Sequence, residues 1–366
     1  MIIGTPFRVL FATQQIQLTE TFFYKQSFKL ESGISLPQFH LAYTTYGQLN
    51  ETEDNVVWIF HALTANSDAA EWWPGLVGDG KLFNPAESFI VCVNMPGSCY
   101  GSTGPLDKNP ETGEPYYHNF PFFTTRDMIR SYQLLKEHLG ITKIKTGIGG
   151  SMGGQQLVEW AIAEPELFEN IIPLATNAFH SPWGIGFNAS QRFAIEADQT
   201  WKQTTPQAGI NGMKAARSLA LLSYRNYQTY QLSQSESTDE KITDFKSESY
   251  QRYQGEKLAK RFNAFSYYFL SKSMDAHNVG RNRVNTISAL QQIKAKTLVI
   301  SISSDILFPP SEQQFLAAHI PGAIYNAIES EYGHDGFLLE FEQIATGIRE
   351  FLSSAKTKNL ITQAIN

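Results

Sequence analysis

The sequence predicts an α/β domain, a mostly parallel sheet flanked by helices and broken by a helical insertion. Three observations carry that expectation. Short runs that are hydrophobic at most positions alternate with stretches of helical periodicity. The 366 residues are 42% hydrophobic and 17% charged, enough to bury a large core without disulfides or a structural metal. Between residues 179 and 292 the alternation stops, and it resumes afterwards.

Taken in order, the strand-like runs are residues 55–61 (NVVWIFH), 88–94 (SFIVCVN), 143–149 (KIKTGIG), 170–176 (NIIPLAT) and 297–303 (TLVISIS). Near-continuous hydrophobic runs of this length read as strands covered on both faces. Residues 126–139 carry apolar side chains at helical spacing, and Gly140 is a plausible stop. Residues 153–163 read as a helix directly after a strand, ending before Pro165. Residues 311–319 and 340–353 read as helices, and 323–329 as a further strand. Inside the interval, residues 211–228 and 249–274 are helical in pattern, and the polar run 233–248 reads as a solvated loop. The expected division is a core domain of residues 20–178 and 293–355, with residues 179–292 a helical domain, read either as an ordinary insertion or as a lid over an active site at one edge of the sheet.

Composition excludes several classes. An aromatic share of 13% with low charge density argues against disorder. No run of about 18 apolar residues is present, so no membrane-spanning helix is expected. With a net charge of -6 and no extended basic stretch, nucleic acid is a poor partner. Cys92 and Cys99 are too few for a disulfide framework and read as reduced thiols. The stretch from Met1 to Glu20 lacks the apolar block and cleavage site of a signal peptide, so the cytoplasm is the expected compartment.

The chemistry begins at Gly149-Gly150-Ser151-Met152-Gly153, which fits G-x-S-x-G. A buried strand before it and a helix after it are the setting of a nucleophile elbow, in which a sharp turn lifts the serine clear of the sheet. Serine needs a base, and such a site is expected in the chain order serine, acid, histidine. Asp305 follows the strand 297–303, and His334 falls on the loop after the last strand. The segment His61-Ala62-Leu63-Thr64 ends another strand, so the amides of Leu63 and Met152 are the expected oxyanion donors. His61 is read as ordering that loop. His40, His118, His138, His180, His277 and His319 show no ligand spacing, and no metal site or redox cofactor is expected.

A Ser-His-Asp set performs acyl transfer without specifying the acceptor. Arg217 and Tyr224 are two helical turns apart and share a face, and Asp335 directly follows His334. An arginine and an aspartate beside the triad suit a zwitterion.

Seven stretches together resemble the homoserine O-acetyltransferase family of α/β-hydrolase-fold proteins. They are HALTANSDAAEWWPGLVG from His61, CYGSTGP from Cys99, FPFFTTRDMIR from Phe120, GGSMGGQQLVEWA from Gly149, AARSLALLSYR from Ala215, SSDILFPPSEQ from Ser303 and YGHDGFLLE from Tyr332. The resemblance spans about residues 25–353. It implies acetyl transfer from acetyl-CoA to the hydroxyl of L-homoserine in methionine biosynthesis, and a ping-pong sequence is the expected mechanism. It implies Ser151, Asp305 and His334 as nucleophile, acid and base, and Leu63 and Met152 as oxyanion donors. It implies Arg217, Tyr224 and Asp335 as contacts to the amino-acid acceptor, and a homodimer paired through the lid. Ala65 and the segment Asn94-Met95-Pro96-Gly97-Ser98 depart from the pattern of many relatives. Rival readings are a homoserine O-succinyltransferase or serine O-acyltransferase of the same fold, a carboxylester hydrolase, and a catalytically silent binding protein.

Overall fold

The structure is a computed structural model and describes residues 17–365. The expectation about Met1 to Glu20 therefore lies outside the described residues as far as residue 16. Ten strands are described: β1 (Gln17–Tyr24), β2 (Phe28–Lys29), β3 (Ser35–Leu36), β4 (Phe39–Tyr46), β5 (Val56–Phe60), β6 (Phe89–Val93), β7 (Ile144–Gly150), β8 (Phe168–Leu174), β9 (Lys296–Ile302) and β10 (Ile324–Ile328). Eight of them form one sheet in the order β1-β4-β6-β5-β7-β8-β9-β10, and β2 pairs with β3 as a separate ribbon.

From β6 to β10 the sheet is parallel, while β4 runs antiparallel to both of its neighbours. The antiparallel edge was not legible in the sequence. In β4 (FHLAYTTY) polar and aromatic residues share the buried positions, which dilutes the hydrophobic run. The central strands show why their sequences are apolar throughout. Val56, Trp58 and Phe60 of β5 join one core cluster, and Val57 and Ile59 join the other.

Among the described residues there are twelve α-helices: α1 (Ala69–Trp72), α2 (Thr125–His138), α3 (Met152–Ala163), α4 (Pro182–Glu196), α5 (Ile210–Tyr224), α6 (Tyr227–Gln234), α7 (Lys246–Ala259), α8 (Ala264–Asp275), α9 (Thr286–Leu290), α10 (Pro310–His319), α11 (Gly336–Leu339) and α12 (Phe341–Ile365). On one face lie α2, α3 and α10, and Trp160 of α3 meets Trp58 edge-to-face at 5.0 Å. The other face is covered by the α1 segment, α11 and α12. A reciprocal capping box of Thr124 and Asp127 starts α2.

The helices α4 to α9 occupy the interval between β8 and β9, with no strand among the described residues there. Two of the helical patches read from the sequence are each divided. Arg225 is extended and Asn226 caps α6, so residues 211–228 do not form one helix. Asn263 caps α8 through its side chain, which ends the run 249–274 as a single helix. The return to the core is held by charge. Arg281 pairs with Glu31 at 2.8 Å and Arg283 with Glu159 at 2.6 Å, while Arg126 of α2 bonds both carboxylates.

Among the described residues no helix is long and apolar enough to cross a membrane. Both cysteines are free thiols, Cys92 buried and Cys99 half-buried.

Candidate active site

β5 and β7 are neighbours, but β6 lies beyond β5 on one side and β8 beyond β7 on the other. The chain thus leaves this point in both directions, which opens a crevice at the carboxyl ends of the strands. Leu63 follows β5 there, and Ser151 follows β7.

Ser151 has φ 56° and ψ −129°, a left-handed conformation rare for a residue with a side chain. Strain of this kind costs about 1–3 kcal/mol and persists only where the surroundings over-determine it. Here they do. The Ser151 amide donates to the Leu174 carbonyl at 3.0 Å, and the Ser151 carbonyl accepts from the Gln155 amide at 3.2 Å and Thr176 Oγ1 at 2.8 Å. The adjoining glycines permit the close approach. A Cβ on Gly153 would lie 2.1 Å from the Phe60 carbonyl oxygen, and one on Gly150 would lie 2.5 Å from the Phe337 ring. The start of α3 therefore sits directly against the end of β5, bringing the Met152 amide to the Leu63 loop. Among the described residues, neither the Leu63 nor the Met152 N–H has a backbone acceptor. Met152 also stands at a helix N-terminus, where the helix dipole favours negative charge.

His61 orders the facing loop. Its Nε2 accepts from the Met95 amide at 3.1 Å, so the proton is on Nδ1, which donates to the Ala62 carbonyl at 2.8 Å. Complete burial pushes its pKa down to about 4, against that second hydrogen bond, and the ring stays neutral.

Asp305 follows β9. One oxygen, Oδ1, accepts from the amides of Leu307 and Phe308 at 2.8 and 2.9 Å, and Oδ2 accepts from His334 Nδ1 at 2.6 Å. The first pair is a local turn closed by an aspartate side chain, and it aims the second oxygen. His334 sits in a 3₁₀ turn, Gly333–Asp335, with its ring stacked on Phe308 at 5.0 Å and edge-on to Phe337 at 5.2 Å. Burial disfavours the imidazolium, but the charge and hydrogen bond of Asp305, with Asp335 and Glu312 farther out, outweigh it and raise the His334 pKa. Gly333 has φ 63°, and a Cβ there would meet the Tyr224 carbonyl oxygen at 2.8 Å. The histidine turn is thus packed against the end of α5.

Ser151, His334, Leu63, Arg217, Tyr224 and Asp335 all line one cavity of about 500 Å³ between the sheet and the insertion. Asp305 and Met152 lie buried behind it. The Arg217 guanidinium lies 5.5 Å from the Tyr224 ring centroid, and that ring is 5.8 Å from His334. Burial raises the Tyr224 pKa, partly offset by Arg217.

One participant had no local signal in the sequence. Arg225 pairs with Asp335 at 3.1 Å. Burial raises the Asp335 pKa, while Arg225 and then Arg217 draw it down. Arg225 lies just beyond the helical register that links Arg217 to Tyr224, so periodicity does not select it. Three α7 residues on the cavity wall, Gln254, Lys257 and Leu258, and Arg261 just beyond that helix, were likewise not singled out. Among the described residues no cluster of His, Cys, Asp and Glu side chains is arranged to hold a metal ion.

Comparison with known proteins gives the family and the fold. The profile of the α/β hydrolase fold matches residues 55–341. The chain is 51% identical over 337 residues to the homoserine O-acetyltransferase of Cyclobacterium marinum, covering 92% of this chain and 96% of that one. It is 43% identical over 343 residues to the enzyme of the same name from Trichormus variabilis, covering 93% and 95%. Among solved structures, homoserine O-acetyltransferase from Bacillus anthracis superposes with a TM-score of 0.87 at 24% identity, over 93% of this chain and 98% of that one. Esterase E22 superposes with a TM-score of 0.83 at 25% identity, over 92% and 100%. The same fold therefore carries both transferases and esterases, and fold alone does not choose between them.

Proposed function

The chain belongs to the homoserine O-acetyltransferase family of the α/β-hydrolase fold, and from that premise we propose that it moves an acetyl group from acetyl-CoA to the side-chain hydroxyl of L-homoserine. The observation that carries the reading is the sharing of one cavity by Ser151 and His334 with Arg217, Tyr224 and Asp335. An ester hydrolase has no need of an arginine and an aspartate fixed beside its nucleophile. An amino-acid acceptor has a carboxylate for the first and an ammonium for the second.

The mechanism is ping-pong. His334 takes the Ser151 proton as Oγ attacks the thioester carbonyl. The tetrahedral oxyanion rests on the amides of Leu63 and Met152, and thiolate departs with the proton from His334. Asp305 keeps the proton of the neutral ring on Nδ1 and stabilises the imidazolium. Homoserine then enters the acetyl-enzyme. Its carboxylate meets Arg217, its ammonium meets Asp335, and Tyr224 fills the space between them. His334 deprotonates the hydroxyl, the ester forms, and Ser151 regains its proton. Arg225 acts through Asp335, as a positioning residue that keeps the carboxylate charged.

The proposal extends to the setting: a cytoplasmic step of methionine biosynthesis, carried out by a homodimer joined through the insertion acting as a lid. The dimer reading is supported by apolar side chains left exposed on α4 to α6, including Phe193, Leu222, Tyr227 and Leu232.

The deciding assay offers acetyl-CoA or succinyl-CoA with homoserine, serine or water and follows free thiol and ester product. Acetyl-CoA with homoserine is expected to be the fastest pair, with parallel double-reciprocal lines. Equal thiol release with water alone would make the chain a hydrolase, and preference for succinyl-CoA or serine would replace the donor or acceptor.

A further inference from the structure

The cavity is more positive than the protein around it. Its lining holds Arg217, Arg225, Lys257 and Arg261 against only Glu71 and Asp335, in a chain whose net charge is -6. Two of the cations are accounted for. Arg225 is paired with Asp335, and Arg217 stands over the Tyr224 ring beside His334. The other two are Lys257, in the last turn of α7, and Arg261, two residues beyond the end of that helix. Gln254, Lys257 and Leu258 are three and four residues apart, so they form one stripe of that helix facing the cavity, and Arg261 continues the wall from the turn that follows. Leu258 is buried and anchors the stripe, whereas Lys257 and Arg261 are exposed at the outer edge.

Neither charge is neutralised. Lys257 has no ion-pair partner among the described residues, and Arg261 donates only to the Thr64 carbonyl and the Tyr100 hydroxyl, both uncharged. Those bonds hold the guanidinium against the loop that follows Leu63. Two exposed cations without an ion-pair partner among the described residues thus stand on the rim of the cavity that Ser151 also lines.

We propose that Lys257 and Arg261 form the recognition site for the phosphate groups of the thioester donor's nucleotide end, one wall of the cavity serving the phosphates and the sheet edge serving the thioester. The inference rests on the reading of acetyl-CoA as donor. A coenzyme A thioester has its reacting carbonyl at one end of a long flexible arm and its phosphates at the other, so it needs one uncharged reactive floor and one cationic entrance. Rim charges of this kind act chiefly on encounter and on discrimination among ligands, and salt screens them.

The test compares acetyl-CoA with acetyl-N-acetylcysteamine, which has the same thioester and no phosphate, in wild type, Lys257→Glu and Lys257→Met. Acetyl-3′-dephospho-CoA and a salt series complete the set. The ratio of kcat/KM for acetyl-CoA to that for the truncated thioester is expected to fall about tenfold or more in Lys257→Glu and less in Lys257→Met. Salt dependence with acetyl-CoA should weaken in both. A ratio unchanged in Lys257→Glu overturns the proposal, as does an equal loss on both thioesters. The wild-type arm separates this from the donor reading. If wild type prefers the truncated thioester or uses neither, the acetyl-CoA reading fails before any variant is considered and the phosphate site falls with it. Direct titration of CoA and of pantetheine onto wild type and Lys257→Glu reads the same site without turnover, and a phosphate-dependent affinity that survives in the variant would also overturn it.

Discussion

The two walls of the cavity are built on different principles. The sheet wall is backbone. Ser151 is held in a left-handed conformation, Gly153 lets α3 press against β5, and the candidate oxyanion donors are main-chain amides. The insertion wall is side chain. Arg217, Tyr224, Arg225 and Lys257 project from or beside helices, held by an ion pair and ring contacts. A backbone wall cannot be altered one group at a time without moving the strand or helix that holds it. A side-chain wall exchanges residues while the helices stay in place. On the proposed reading, the reaction belongs to the sheet wall and the choice of substrate to the insertion.

Three experiments break or sharpen that contrast. The largest effect is expected on the sheet wall. Ser151→Ala should reduce thioester cleavage at least about 10⁴-fold whatever acceptor is supplied, measured as thiol release with circular dichroism confirming the fold. Retained release would move the nucleophile elsewhere. An intermediate effect is expected opposite. Arg217→Ala should raise the KM for homoserine about 10–100-fold, the scale of one charge-assisted hydrogen bond, with a smaller change in the KM for the thioester. An acceptor KM equal to that of wild type would remove the carboxylate role and with it the division of labour between the walls.

The smallest effect is in pH. His334 must be neutral to act as base, and its pKa lies above the ordinary 6.5. The acid limb of kcat/KM for the thioester should therefore fall above pH 6.5, and Asp305→Asn should shift it downward. The same shift appears in stability. The folded state binds this proton more tightly than the unfolded chain, so its contribution is full below about 6.5 and is lost as pH rises through the raised value. An acid limb below 6.5 in wild type would contradict the Asp305–His334 coupling.

The walls also differ in what their sequences disclose. The strands β5 to β9 and the G-x-S-x-G corner are legible because both are local patterns: apolar runs covered on two faces, and glycines where backbones touch. Asp305 and His334 are legible through chain order and their positions after strands. The insertion yields less. Its helices are amphipathic without a motif, and the breaks at Arg225 and Asn263 depend on caps and on what each turn packs against. β1 went unread because it is an edge strand with mostly exposed residues, and β4 because polar and aromatic residues at its buried positions dilute the hydrophobic run.

By itself, the sequence determined the α/β alternation, the place of the helical interruption and the candidate serine, aspartate and histidine, since each follows from spacing along the chain. Tertiary structure alone decided that Arg225 holds Asp335, that Gly333 packs against the end of α5, and that Lys257 faces the same cavity as Ser151. Those are relations between segments far apart in the chain, set by how helices pack on a sheet, and no local pattern of residues encodes such a distance.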